Sequence, residues 1–185
     1  MPLGESFGTT IAAARQAAPW AWAVIYRDLA PKVTGYLRAS GAADPDDLTG
    51  EVFLRVVQDL GTFDGDEAHF RSWVFVIAHH RLVDDRRRRT RRPETPLQLE
   101  ALDRIRHGGN VEQEAMGNLG GDAVGDIIRR CVPDQREVLL LRVLGGLTLA
   151  ETAEVLGKSL GAVKALQRRG VAAIAREFSR EGVPL

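Results

Sequence analysis

Between Phe70 and Arg92 the chain reads FRSWVFVIAHHRLVDDRRRRTRR, and no other segment limits its fold so narrowly. The first part, Trp73, Val74, Phe75, Val76, Ile77 and Ala78, predicts a helix that is apolar nearly all round and therefore buried. The second part is a run of guanidinium groups at Arg86, Arg87, Arg88, Arg89, Arg91 and Arg92, which repel one another unless a polyanion answers them. The stripe Trp73, Ile77, His80, Asp84 falls on one face, so the core side of the helix is expected to become a polar reading surface just before the arginines. An arginine run by itself is most simply the solvated end of a buried helix. The remainder of the chain changes that weighting.

The charge is segregated although the formal total is zero. Residues 44–67 hold Asp44, Asp46, Asp47, Glu51, Asp59, Asp64, Asp66 and Glu67 against Arg55 alone, whereas residues 81–92 hold seven arginines against Asp84 and Asp85. Two oppositely charged surfaces this close in sequence point to two different partners rather than to a uniformly basic nucleic-acid binder. Hydrophobic content of 44% and charged content of 27% are those of a folded chain. The single cysteine, Cys131, excludes an internal disulfide framework and reads as a small core residue. No basic segment leads into an apolar core at the start, and no apolar run approaches membrane length, so a soluble cytoplasmic protein is expected.

Apolar residues recur at helical spacing throughout, and strand-like alternation is missing, so the expected fold class is all-α. Residues 20–40 read as one or two helices, with Pro31 opening the second. Asp44-Pro45-Asp46-Asp47 is a helix start, with Asp44 as N-cap and Pro45 in the first turn. That helix would carry Leu48, Val52, Val56 and Leu60 on one side, and Asp47, Glu51, Arg55 and Gln58 on another. Phe63-Asp64-Gly65-Asp66 reads as a loop before the Phe70 helix. From Pro93 to Asp122, two prolines, five glycines and six acids against two bases mark a flexible linker, with one short helix at 97–106. Helices are expected again at 124–131, 134–144, 148–156 and 159–178. The boundaries are therefore a tail at 1–17, a helical domain at 18–92, the linker at 93–122, a second helical domain at 123–178 and a tail at 179–185. Trp20 and Trp22 read as core or interface residues.

The second domain carries its own signal. Thr148-Leu149-Ala150-Glu151 is a capping box, Gly157 suits a positive φ at a helix end, and Ser159 can cap the next helix. Ala153, Gly157, Val163 and Leu166 fall where a helix-turn-helix needs close contact, a sharp turn and two packing residues. Its second helix would present Gly161, Lys164, Ala165 and Arg168 outward, with Arg169 at the edge. A capping box alone occurs in many ordinary helical hairpins; the full spacing followed by three cations favours a helix that reads DNA.

Three segments, DPDDLTGEVFLRVVQDL (44–60), FRSWVFVIAHHRLVDDRRRR (70–89) and VPDQREVLLLRVLGGLTLAETAEVLGKSLGAVKALQRRG (132–170), together resemble the bacterial sigma factors of the extracytoplasmic-function group of the sigma-70 family. The resemblance implies two helical domains, regions 2 and 4, and a protein that is not an enzyme, needs no cofactor or metal, and directs promoter-specific initiation by core RNA polymerase. It implies that Asp47, Glu51, Phe53, Leu54 and Val57 meet the β′ clamp helices, with the β flap as a second polymerase contact. Asp64, Gly65, Asp66, Trp73, His79 and His80 would meet unpaired bases of the −10 element, and Arg86, Arg87, Arg88 and Arg89 its phosphates. Ser159, Gly161, Lys164, Ala165, Arg168 and Arg169 would meet the −35 element. An anti-sigma protein is a further implied partner; membrane insertion and a small-molecule substrate are not implied. Three departures stand out: Gly50 where members usually have Gln, His79-His80 where an Arg-Asn pair is common, and Leu166-Gln167 where many have Arg-Leu. The glycine costs about 1 kcal/mol of helix stability and removes a side chain from the docking face, so weaker core affinity is expected.

Two other readings compete. A stand-alone helix-turn-helix regulator would leave the acidic helix and the Phe70 helix unexplained. A metal-dependent hydrolase could draw on His79, His80, Asp84 and Asp85, with His80 and Asp84 one turn apart, but His and Asp at that spacing more often share a surface hydrogen bond.

Overall fold

The computed structural model describes residues 4–91 and 131–181, and every regular element among them is helical. The linker expected at 93–122, its short helix, and the helix expected at 124–131 apart from Cys131 lie outside the described residues. Helix α1 spans Phe7–Arg15, α2 Pro19–Ala39, α3 Pro45–Asp59 and α4 Glu67–Arg91; α5 spans Pro133–Val143, α6 Leu149–Val155 and α7 Leu160–Glu181.

The starts of these helices follow from their caps. Asp44 accepts a 3.0 Å bond from the Asp47 amide, with Pro45 in the first turn. At α6 both halves of the capping box form, Thr148 N–H to Glu151 at 2.6 Å and Glu151 N–H to Thr148 at 3.2 Å. Ser159 takes the Ala162 amide at 3.2 Å. Between α6 and α7 the chain turns at Gly157 with φ of 60°, a conformation that strains any residue with a Cβ.

Three expectations need correction. Pro31 does not open a helix; it sits within the continuous α2, on its exposed side. Ile25, Leu29 and Ala30 before it, and Val33, Tyr36 and Leu37 after it, are all buried. Burial worth about 1.5–3 kcal/mol for each large side chain offsets the ~3 kcal/mol that an interior proline costs. Residues read as a tail include α1, whose Ile11 and Ala14 join the core. At the other end, α7 continues past Phe178 to Glu181.

The core face of α4 is Phe70, Val74, Phe75, Ala78, His79 and Leu82. The stripe expected to begin in the core does so in part: Trp73 and Ile77 are half-buried and pack against the core cluster, and His80 and Asp84 are exposed. Around α4 pack Ile25, Val33, Leu37, Val52, Val56 and Leu60. The second domain has a small core of its own, Val138, Ala153 and Val163. It is not held apart, however, for Leu140, Leu141 and Leu147 belong to the same apolar cluster as α1–α4.

Candidate protein and nucleic-acid interfaces

Three surfaces collect the candidate residues. The first lies on α2 and α3. Asp47 is exposed at the start of α3, and further along the helix Leu54 and Val57 point to solvent with 65% and 50% exposure. They do not stand singly. Trp22, Ala23 and Tyr26 of α2, with Gly50, Phe53, Leu54 and Val57 of α3, line an open groove of about 520 Å³ whose walls are wholly apolar. Phe53 is the floor rather than the rim, only 6% exposed and packed 4.8 Å from the Tyr26 ring. Nothing lies near a Cβ built at Gly50, so the missing side chain leaves the groove open there. Trp22 was read as a core or interface residue and Tyr26 was not singled out, yet their i, i+4 spacing on a helix is the signal that places both on one face. Glu51 faces away from the groove, toward Arg88 at 3.5 Å and Arg81 at 4.0 Å.

The second surface lies where the loop before α4 meets that helix. Phe63 packs edge-on against Phe70 and tilted against Trp73, each ring 5.2 Å away. Thr62, Phe63, Asp64, His69, Ser72, Trp73 and Val76 form one side of a cavity of about 370 Å³; Leu147 and Glu151 of the second domain form the other. Phe63, Ser72 and Val76 enlarge the expected set, and Asp64 and Trp73 line the cavity with them. Gly65 is exposed in the loop. Asp66 is occupied as a cap, accepting the His69 amide at 2.9 Å and lying 2.8 Å from His69 Nδ1. The backbone bond from His69, then the ring contact, hold its carboxyl below the usual range.

His79 does not belong to this surface. It is 5% exposed, and its Nδ1 lies 3.0 Å from the Tyr36 hydroxyl, so it cannot touch a base. His80, its neighbour, is exposed. Among the described residues no group of three or more His, Cys, Asp or Glu is placed to hold a metal ion.

The arginine run is answered from within the chain, not left to repel itself. Arg86 donates to Glu137 and to the Ser40 carbonyl, both at 2.7 Å. Arg88 meets Glu51 and Asp85, and Arg89 meets Asp85 at 3.1 Å and the Gly41 carbonyl at 3.2 Å. Arg87 is the most open of the four, 70% exposed and 3.8 Å from Asp84. Exposed pairs of this kind contribute about 0–1 kcal/mol, so a phosphate can displace them. The acidic and basic segments therefore touch, and are not two independent faces.

The third surface is the outer side of α7. Gly161, Lys164, Arg168 and Arg169 are exposed and Ala165 is half-buried, while Val163 is fully buried beneath them. Ser159, also exposed, is committed to its cap. Leu166 packs against the small core, and Gln167 accepts from Arg142 at 3.3 Å. Both are half-buried and make these contacts on the inner side of α7.

The family profiles for Sigma-70 region 2 and Sigma-70, region 4 match residues 25–92 and 126–174. The ECF RNA polymerase sigma factor BldN of Streptomyces coelicolor is 39% identical over 141 residues, 76% of this chain and 53% of that one. The chain thus spans about half the length of that relative. The ECF RNA polymerase sigma factor RpoE of Cereibacter sphaeroides is 30% identical over 146 residues, 78% of each chain. Among solved structures, CnrH in complex with the cytosolic domain of CnrY superposes with a TM-score of 0.57 at 22% identity, over 93% of this chain and 96% of that one, a likeness of fold.

Proposed function

The chain belongs to the extracytoplasmic-function group of sigma-70 RNA polymerase sigma factors, and from that membership we propose that it binds core RNA polymerase and directs promoter-specific initiation without chemistry of its own. The apolar groove of α2 and α3, bordered by Asp47, docks on polymerase. Trp22, Tyr26, Leu54 and Val57 are the apolar contacts, and Phe53 supports them from below. The cavity walled by Phe63, Asp64 and Trp73 takes an unpaired base of the −10 element, with His80 one further contact along α4. Arg87, Arg88 and Arg89 anchor phosphates, which positions the strand without specifying its sequence. Gly161, Lys164, Ala165, Arg168 and Arg169 enter the major groove at the −35 element.

The observation that carries this reading is the presence in one chain of an apolar groove and a capped helix-turn-helix with Lys164, Arg168 and Arg169 exposed. A stand-alone DNA-binding regulator would have no use for the groove. An anti-sigma protein that competes for these surfaces is a further proposed partner, and the cytoplasm the proposed location. Among the described residues no helix is long and apolar enough to cross a membrane.

Run-off transcription with core polymerase on a library of genomic promoters tests the proposal. A defined subset of promoters should fire only when this protein is added. Absence of any transcript, together with sequence-specific DNA binding by the protein alone, would overturn it in favour of the regulator.

A further inference from the structure

Arg15 stands at the end of α1, among residues that the sequence presents as a tail, and its guanidinium reaches the loop before α4. We propose that Arg15 is a positioning residue for −10 recognition: it holds the peptide between Phe63 and Asp64 in one orientation, and so sets the wall of the cavity that reads the base. The proposal rests on the assignment of that cavity to a −10 base.

An arginine in the last turn of a helix ordinarily serves that helix's own carbonyls. Arg15 serves those of another element. Its guanidinium donates to the Phe63 carbonyl, and its Nε to the Leu60 carbonyl at 3.5 Å. Both carbonyls belong to the short turn Leu60–Thr62 and its cap, directly after α3, where unpaired carbonyls and partial negative charge collect. Two acceptors three residues apart suit the rigid fork of a guanidinium. A lysine brings one point of charge and cannot hold both in the same geometry.

The Phe63 carbonyl matters because of the peptide it belongs to. That peptide is planar and ends at the Asp64 nitrogen, so the carbonyl direction fixes where the Asp64 side chain leaves the backbone. The Phe63 ring is held separately, by Phe70 and Trp73. Beyond Asp64 the loop is tight by itself. Asp66 caps α4, and a Cβ on Gly65 would stand 2.9 Å from His69 Cβ and 3.2 Å from Phe63 Cζ. Asp64 lies exposed on the cavity wall between these fixed points, and Arg15 supplies the remaining constraint.

The end of α1 is built to aim this side chain. The Trp22 indole N–H donates to the Ala14 carbonyl at 3.1 Å. The Ala18 and Ala17 amides return to the Ala13 and Ala14 carbonyls at 3.0 and 2.9 Å. Ala17 takes a φ of 57°, a left-handed conformation that a glycine would adopt without strain. The strain persists because burial of Ile11 and Ala14, and the Phe7 ring 5.8 Å from Phe70, hold α1 against the first domain.

Binding of reconstituted holoenzyme to promoter libraries randomised at one element at a time tests this role, with Arg15→Ala and Arg15→Lys beside the unaltered chain. Both variants should lose roughly three- to tenfold of the discrimination between preferred and disfavoured −10 bases, because a loosened wall gives up part of a base contact. Preference within the −35 element should stay as it is. An arginine that merely supported the fold would weaken binding to every template alike and leave discrimination intact. Intact −10 discrimination in either folded variant overturns the proposal, whatever the affinity. Circular dichroism identifies a variant that has unfolded; if Arg15→Ala does so, Arg15→Lys, which keeps the charge, decides by the same criterion. An unaltered chain that selected no promoter would strike the sigma-factor reading itself, which is a different failure.

Discussion

Tyr36 Oη and His79 Nδ1 meet at 3.0 Å in the interior, joining α2 to α4 through a buried polar pair. Tyr36 is fully buried and edge-on to Phe75, 5.6 Å away. Burial pushes the Tyr36 hydroxyl well above its ordinary value. It also lowers that of His79, with His80 and Arg86 adding to the effect and Glu137 opposing it. A residue that looks like a DNA contact in the sequence is thus a neutral core group.

That pair predicts acid sensitivity. His79 is depressed in the folded chain and titrates at about 6.5 when unfolded. The unfolded state therefore binds more protons below that value, and the contribution of His79, complete above it, is lost as the pH falls. The loss can reach about 1.4 kcal/mol per pH unit for this one group. Thermal unfolding followed by circular dichroism at pH 7.5 and 5.5 should show it. His79→Gln should be less stable by about 1–3 kcal/mol at pH 7.5, because Tyr36 loses its partner, but should depend less on pH. Equal pH dependence in both proteins would mean that other groups set the acid response.

Gly157 predicts a local cost with a functional reading. At φ of 60° an alanine would cost about 1–2 kcal/mol and disturb the angle between α6 and α7. Gly157→Ala should lower the denaturant midpoint and weaken −35 recognition, while open space around the position leaves no clash to blame. An unchanged midpoint would show that the turn can relax to negative φ.

The groove predicts a separation of binding from stability. Leu54 and Val57 are exposed, so Leu54→Asp with Val57→Asp should change stability by no more than about 0.5 kcal/mol each. Co-elution with core polymerase should weaken by at least about tenfold, as expected where apolar anchors dominate an interface. Retained co-elution would place docking elsewhere. Among the acids, Asp47→Lys is the clean probe. Glu51→Lys would also release Arg88 and Arg81 and so alter DNA binding.

The sequence made the helices, their caps and the helix-turn-helix legible because those are local: Asp44, Thr148 and Ser159 each bond within three residues. What it hid depends on partners distant in the chain. The continuity of α2 through Pro31 rests on burial against other helices. His79 became a core residue because Tyr36, 43 positions earlier, stands opposite it. Arg86 and Glu137, 51 positions apart, joined domains that the sequence presents as separate. The same limit applies to the candidate sites. Periodicity gave the outward face of α7, but the groove and the cavity beside Phe63 and Trp73 arise only where two elements meet.

The two basic elements should fail in different ways when altered. Arg86–Arg89 are consecutive, so they point around α4 and cannot address one set of base edges. Arg86 is fastened between Glu137 and Ser40, which leaves Arg87 as the readiest phosphate anchor. Lys164 and Arg168 are exposed, one turn apart on one face near the start of α7. Arg87→Ala should therefore weaken holoenzyme binding similarly on every promoter and reduce the logarithmic salt slope by about 0.9 for each duplex phosphate no longer neutralised. Arg168→Ala should change preference within the −35 element, by about 1–3 kcal/mol at the base it meets, and leave −10 preference alone. His80→Ala should do the converse. Binding to promoter libraries randomised at one element at a time separates these outcomes. If His80→Ala left −10 preference intact while Arg168→Ala weakened all promoters equally, reading and anchoring would have to be assigned to other residues.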